Sequence, residues 1–404
     1  MQSILSNQLT FNSPSQAIEH WLKHIESVNQ ESVSLNEASG RVLATDIKTD
    51  RPSPACDVSA MDGYAVRIKD LDHEELPVAA EVLTGHAPPL LPVQAVLKIF
   101  TGGAVPAQAD AVIPREHVHE SIDSIRVPKD LAVKLGQNIR CMGENALANI
   151  IVLKAGVLLD PAKIAMLAAV GINKVNVYKR VRCALIITGN EVISNERSIT
   201  QWQVRDSNGP ALSAVFHAVP WIDWCGVEHV VDDPQITLHT CEKILNEVDA
   251  LLITGGVSMG DHDYIPQVLE MIGAKTIFHR LPIRPGKPVL GAADNSGKMI
   301  LALPGNPVSA LTTARLFGVS ALQHMAGIVA SKTTPKIRIL NSDQKKLSLH
   351  WSRPVQLLEN NTGQLISTQG SGDIISLSHS DGFVIIPPGT SGEGPWPYYP
   401  WSID

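Results

Sequence analysis

Between Arg182 and about residue 330, short apolar runs alternate with helical stretches. Ala184–Ile187 precedes Pro210–Val219, and Glu228–Val231 precedes Pro234–Val248. Ala250–Ile253 precedes Asp263–Ile272, and Met299–Leu303 precedes a stretch that starts at Asn306. Repeated strand-then-helix units leave few folds open. Neighbouring parallel strands need a crossover, so this segment predicts a doubly wound parallel sheet. Such sheets take ligands outside the carboxyl ends of their strands.

Three of those strand ends share a design. They read Ile186-Ile187-Thr188-Gly189-Asn190-Glu191, Leu252-Ile253-Thr254-Gly255-Gly256-Val257-Ser258-Met259-Gly260-Asp261-His262-Asp263, and Leu303-Pro304-Gly305-Asn306-Pro307-Val308-Ser309. Each puts glycine where a strand turns into a helix, so backbone N–H groups face an incoming anion. A single loop of this kind is equally an ordinary tight turn; three along one rim point to a ligand. None matches the dinucleotide or P-loop glycine spacing, so neither site is supported.

Charge is concentrated at the same rim. Glu191, Asp232 and Asp263 fall at or just past strand ends. Carboxylates there suit Mg²⁺, a hard cation that shares its shell with substrate phosphates. The competing role for each is helix N-capping. His279-Arg280-Leu281-Pro282-Ile283-Arg284-Pro285-Gly286-Lys287-Pro288 gathers Arg280, Arg284 and Lys287 on a proline-stiffened turn. In a chain of net charge −7 this points to a phosphate or oxyanion ligand rather than a merely solvated turn.

The flanking regions read differently. Apolar residues at helical spacing from Ser15 to Val28, after Ser13-Pro14, predict a first helix. From Arg51 to about Arg140 the chain breaks into Val78–Leu83, Ala95–Phe100, Ala111–Ile113 and Ile125–Val127, a β-rich unit. Pro161–Val170 returns to helix and stops at Gly171. The expected domains are residues 1–50 with 145–180, an inserted 51–144, an α/β domain 181–330 and a C-terminal β domain 331–404. In the last, Asp381-Gly382 is expected to turn a strand Ile374–Leu377 into a strand Phe383–Ile386.

Several classes are disfavoured. No basic run supports a nucleic-acid partner. No apolar run reaches a membrane span; the nearest, after Asn306, is interrupted by Arg315 and His324 and reads as a buried or interface helix. Cys56, Cys141, Cys183, Cys225 and Cys241 form no CxxC pair, which fits a reducing compartment. With no signal-peptide pattern at the N-terminus, the expected location is the cytoplasm.

The chain resembles the molybdopterin molybdotransferases, the MoeA family, to which the gephyrin E domain is related. Ser59–Val66 (SAMDGYAV), Thr101–Pro106, Gln137–Arg140, Gly255–Ser258 (GGVS), Pro285–Pro288 (PGKP) and Pro304–Ser309 (PGNPVS) carry the resemblance across nearly the whole chain. It implies a multi-domain homodimer: a central α/β molybdopterin-binding domain, a discontinuous N-terminal domain with a β-rich insertion, and a small barrel-like C-terminal domain. The implied reaction takes adenylylated molybdopterin and molybdate with Mg²⁺, releases AMP and leaves molybdenum on the dithiolate. Other implied partners are molybdopterin adenylyltransferase and further proteins of the cofactor pathway.

Carried over residue by residue, the resemblance assigns catalysis to Asp62, Thr101, Glu191, Asp232 and Asp263, with Glu191 and Asp263 on the metal. Asp62 and Thr101 are expected to come from the partner subunit. Substrate binding falls to Ser258, Arg280, Arg284, Lys287, Pro304 and Pro307, with Arg353 and Ser371 from the C-terminal domain. The chain departs from the pattern where Asn190 and Asn145 replace aspartates and where Arg280 and Arg284 replace lysines. Each Asn removes a negative charge, so a second reading stays open: a paralogue that binds or scaffolds the pterin without turnover.

Overall fold

The computed structural model describes residues 11–194, 197–258, 263–329 and 334–403. The chain divides into two compact units, one of Met1–Thr45, Ala155–Ile164 and Lys174–Asp404, the other of Asp46–Lys154 and Ala165–Asn173.

The larger unit contains a six-stranded sheet ordered Ile222–Val230, Val181–Thr188, Ala250–Thr254, Met299–Leu303, Leu290–Ala293, Lys275–His279. The first four strands are parallel. Ala250–Thr254 and Met299–Leu303 are buried throughout, as strands covered on both faces must be. Alternate residues feed two cores. Leu185, Ile187, Leu252, Leu301 and Leu303 pack with Leu212, Phe216 and Phe317. Ile186, Leu251, Ile253 and Ile300 pack with Cys241, Leu245, Ile265 and Leu269. That alternation is what a doubly wound sheet requires.

The last two strands run antiparallel. No strand was expected there, because Lys275–His279 and Leu290–Ala293 have no helix between them. The basic turn of residues 280–289 joins them instead.

The long apolar stretch after Asn306 is helical from Pro307 to Met325, with a π turn at Ala314–Gly318. Its polar interruptions are partnered: Arg315 Nε donates to the Pro400 carbonyl at 2.6 Å, and His324 Nε2 lies 3.1 Å from the Ile25 carbonyl. Among the described residues no helix is long and apolar enough to cross a membrane.

The first helix spans only Pro14–Leu22, capped by the Ser13 hydroxyl. Ile25 and Val28 reach the core from irregular chain, because the Glu26 and Val28 amides donate to Gly297 and Met325 instead of continuing the helix. Trp21 is fully buried, with its indole N–H on the Ala292 carbonyl at 2.9 Å.

Residues 336–400 close a five-stranded barrel-like sheet, in which His350–Leu357 pairs with both Thr362–Leu365 and Gly382–Ile386. The expected strand Ile374–Leu377 is a single helical turn. The Asp373 carboxylate caps it by accepting the Ser376 N–H, and Ile375 stays exposed, so Asp381-Gly382 joins no hairpin. Outside the closed sheet, Ile283–Arg284 adds a short parallel strand against His350 and Trp351.

The smaller unit holds a six-stranded sheet ordered Ala111–Pro114, Gly63–Val66, Val96–Ile99, Leu76–Val82, Ser124–Arg126, His119–Glu120. Each of the four apolar runs expected there lies in one of these strands, within two residues at either end.

Candidate functional site

Three glycine turns leave adjacent parallel strands, those ending at Thr188, Thr254 and Leu303. They touch. A Cβ on Gly255 would stand 2.4 Å from the Thr188 hydroxyl, and Gly255 has φ +89°, so only glycine fits. The Gly255 N–H donates to the Leu303 carbonyl at 3.1 Å, and Thr188 Oγ1 donates to the Thr254 carbonyl at 3.0 Å. Asn208 reaches across with its side-chain N–H on the Gly305 carbonyl at 2.8 Å. Ser258, at the end of the middle turn, is exposed; Met259, Gly260, Asp261 and His262 lie outside the described residues.

The carboxylates follow the strand ends of this sheet. Asp232 is half-buried; its Oδ2 accepts the Asn190 N–H at 3.0 Å, and its own N–H donates to Asn190 Oδ1 at 3.1 Å. The Tyr264 hydroxyl donates to Asp232 Oδ1 at 3.3 Å, and burial pushes its ionisation upward. Glu191 is exposed, and its carbonyl accepts the Val204 N–H at 2.9 Å. Asp263 precedes Tyr264 just ahead of the helix Ile265–Met271. Among the described residues no three His, Cys, Asp or Glu side chains converge to hold a metal ion.

The cations face a cavity of about 750 Å³, whose walls include Arg284, Lys287, Pro304, Lys345, Arg353 and Ser371. Five of the expected binding residues therefore share one cavity. Pro307 and Arg280 are not part of its wall. Arg280 has φ 67° and its N–H bonds the Val289 carbonyl, which makes it a turn-former. Gly286 sits at φ +100°, where a Cβ would lie 2.3 Å from Thr313 Cγ2, so the basic turn rests directly on the helix Pro307–Thr313. The Ser371 carbonyl accepts the Val308 N–H at 3.1 Å, which ties the loop after Thr362–Leu365 to the same helix.

Sequence reasoning missed Lys345 and Trp351, which also line this cavity. Neither belongs to a motif, and only the long-range pairing of Arg284 with Trp351 brings them in. A second cavity of about 460 Å³, bounded by Ala211, Val215, Leu311, Leu377, Trp401 and Ile403, has no charged wall.

In the smaller unit, Asp62 and Thr101 form a closed pair. Thr101 donates its N–H and its hydroxyl to Asp62 Oδ1, each at 2.8 Å. Those two bonds, the backbone one first, hold the Asp62 carboxyl below the usual carboxylate range. Asn145 accepts from Arg140 Nη2 at 2.7 Å and gives its own N–H to the Ser53 carbonyl.

Residues 12–171 match the family described as the MoeA N-terminal region (domain I and II), and residues 184–324 match a probable molybdopterin binding domain. The chain is 36% identical over 298 residues to the molybdopterin molybdenumtransferase of Synechococcus elongatus, covering 71% of this chain and 73% of that one. It is 31% identical over 381 residues to the protein of that name from Nostoc, covering 89% and 85%. A crystal structure of the molybdopterin biosynthesis MoeA protein from Pyrococcus horikoshii is similar at TM-score 0.79 and 30% identity, covering 96% of this chain and 99% of that one.

Proposed function

The chain belongs to the MoeA family of molybdopterin molybdenumtransferases, and from that premise we propose that it transfers molybdenum from molybdate to adenylylated molybdopterin, with Mg²⁺-dependent release of AMP. The observation that carries this reading is the cavity where Arg284, Lys287, Lys345 and Arg353 converge beside Ser371.

Molybdate and the substrate pyrophosphate are both anions, so both need cations and turn amides held in place beforehand. In this reading Arg284, Lys287, Arg353 and Ser371 bind and orient the oxyanion. The turns at Gly255–Ser258 and Pro304–Pro307 bind the pterin phosphate. Glu191 and Asp263 serve the metal and the pyrophosphate, and Asp232 fixes the strand end that carries Glu191.

The donor chemistry fits magnesium in one way only. Mg²⁺ usually takes one or two protein carboxylates and fills its shell with phosphate oxygens and water, so a complete protein cage is not needed. When bound, it would offset charge developing on the phosphates.

The reading includes a homodimer in which Asp62 and Thr101 act on the partner subunit's substrate. Met142, Leu147, Ile150 and Ile151, all exposed on the smaller unit, support a buried partner surface there. A cytoplasmic location and a supply of substrate from molybdopterin adenylyltransferase complete it. The test is AMP release from adenylylated molybdopterin with molybdate and Mg²⁺. Turnover with a known family member but none with this chain would defeat the proposal.

A further inference from the structure

One wall of the cation-lined cavity is organised by a group that stands outside it. Trp351 and Arg353 lie two residues apart on the strand His350–Leu357, so their side chains leave the same face. The guanidinium carbon of Arg353 is 4.1 Å from the centroid of the Trp351 ring. Arg353 Nη1 lies 2.9 Å from Asp343 Oδ2, and Asp343 Oδ1 accepts the Lys345 N–H at 3.1 Å. Lys345 Nζ in turn lies 5.5 Å from the same ring centroid. Lys345, Trp351 and Arg353 line the cavity, whereas Asp343 does not.

We propose that Asp343 and Trp351 are positioning residues that set Arg353 and Lys345 as a preformed cation pair for a tetrahedral oxyanion. The proposal rests on the reading of the cavity as the oxyanion site. Stacking on an indole and bridging to a carboxylate remove rotamer freedom from Arg353 before any ligand arrives, so less is lost on binding. The bridge uses one N–H donor, and a guanidinium has several more to offer an anion. Trp351 is itself held in place, because its backbone pairs with Arg284 of the basic turn.

A carboxylate beside an anion site has two possible effects, and they differ in sign. As a charge it repels the ligand, so its removal tightens binding. As a positioning group it orders the cations, so its removal weakens binding. We assign the second role to Asp343.

The experiment titrates the full-length chain calorimetrically with molybdate alone at fixed ionic strength. D343A and W351L are expected to weaken binding about tenfold. D343N keeps the acceptor and W351F keeps the ring, so both stay within about threefold of the parent chain. Thermal unfolding of each sample separates misfolding from weakened binding. If D343A fails to fold, the W351L and W351F pair decides. Tighter or unchanged binding in D343A, while R353A loses molybdate, overturns the positioning role alone. Unchanged binding in R353A overturns the cavity reading, and this proposal with it.

Discussion

Asn190 and Asp232 hold each other through a reciprocal pair of hydrogen bonds, 3.0 Å from the Asn190 N–H to the Asp232 carboxylate and 3.1 Å from the Asp232 N–H to the Asn190 amide oxygen. The bonds join the ends of two neighbouring parallel strands immediately before Glu191. An aspartate at 190 could accept the same bond, so the amide preserves the contact without setting a second negative charge beside Asp232. N190D is therefore expected to fold normally and to lower the Mg²⁺ concentration for half-maximal AMP release by about threefold, through added negative charge at the rim. A magnesium titration of both proteins checks this. An unchanged or raised midpoint would show that residue 190 does not face the metal.

D232A removes the acceptor for both Asn190 and Tyr264. Its expected cost is ~1–3 kcal/mol of stability, the range for leaving polar partners unsatisfied. The AMP-release rate is expected to fall at least tenfold as Glu191 loses its fixed strand end. Unfolding midpoints with single-turnover rates separate the two losses.

T101V deletes one of the two donors to Asp62 and keeps the backbone N–H. Both donors favour the ionised carboxyl, so the variant's Asp62 titrates at a higher pH than the parent's. The sign follows from a depressed folded-state value: the stabilisation is complete above the ordinary carboxylate range near pH ~4 and is lost as pH falls through the folded value. NMR titration of the Asp62 carboxyl carbon reads the shift directly. Identical midpoints would mean that the hydroxyl does not bear on its ionisation.

G286A places a methyl group 2.3 Å from Thr313 Cγ2 on backbone at φ +100°. Overpacking and left-handed strain together predict a loss of ~2–4 kcal/mol. The basic turn shifts on its helix, so molybdate affinity should fall with stability. Unfolding midpoint and molybdate affinity, each measured on the variant, check the pair. Full affinity in a destabilised variant would detach the turn from the oxyanion site.

The central parallel strands were legible because they are apolar runs, whereas the edge strand Ile222–Val230, interrupted by polar residues, was read only from Glu228. Met299–Leu303 was read to the residue, since its ends are marked by Lys298 and Pro304. Ile374–Leu377 looked like a strand by composition, but the Asp373 cap decides a four-residue segment locally. The first helix was read too long, because Ile25 and Val28 keep helical spacing while the Glu26 and Val28 amides bond distant carbonyls. At the site, glycine and proline motifs marked Arg284, Lys287 and Pro304. Arg353 was named only through the family resemblance, and Lys345 and Trp351 were hidden, since they meet the basic turn through a pairing across about seventy residues that no local pattern encodes.

The central claim is transfer of molybdenum, and its most direct test counts metal against nucleotide. In a single turnover with adenylylated molybdopterin, molybdate and Mg²⁺, AMP is quantified chromatographically and pterin-bound molybdenum by elemental analysis of the isolated product. The account predicts equal amounts of the two, and no AMP when molybdate is left out. AMP released with no molybdenum on the pterin would mark the chain as a hydrolase of the adenylylated pterin and contradict the account.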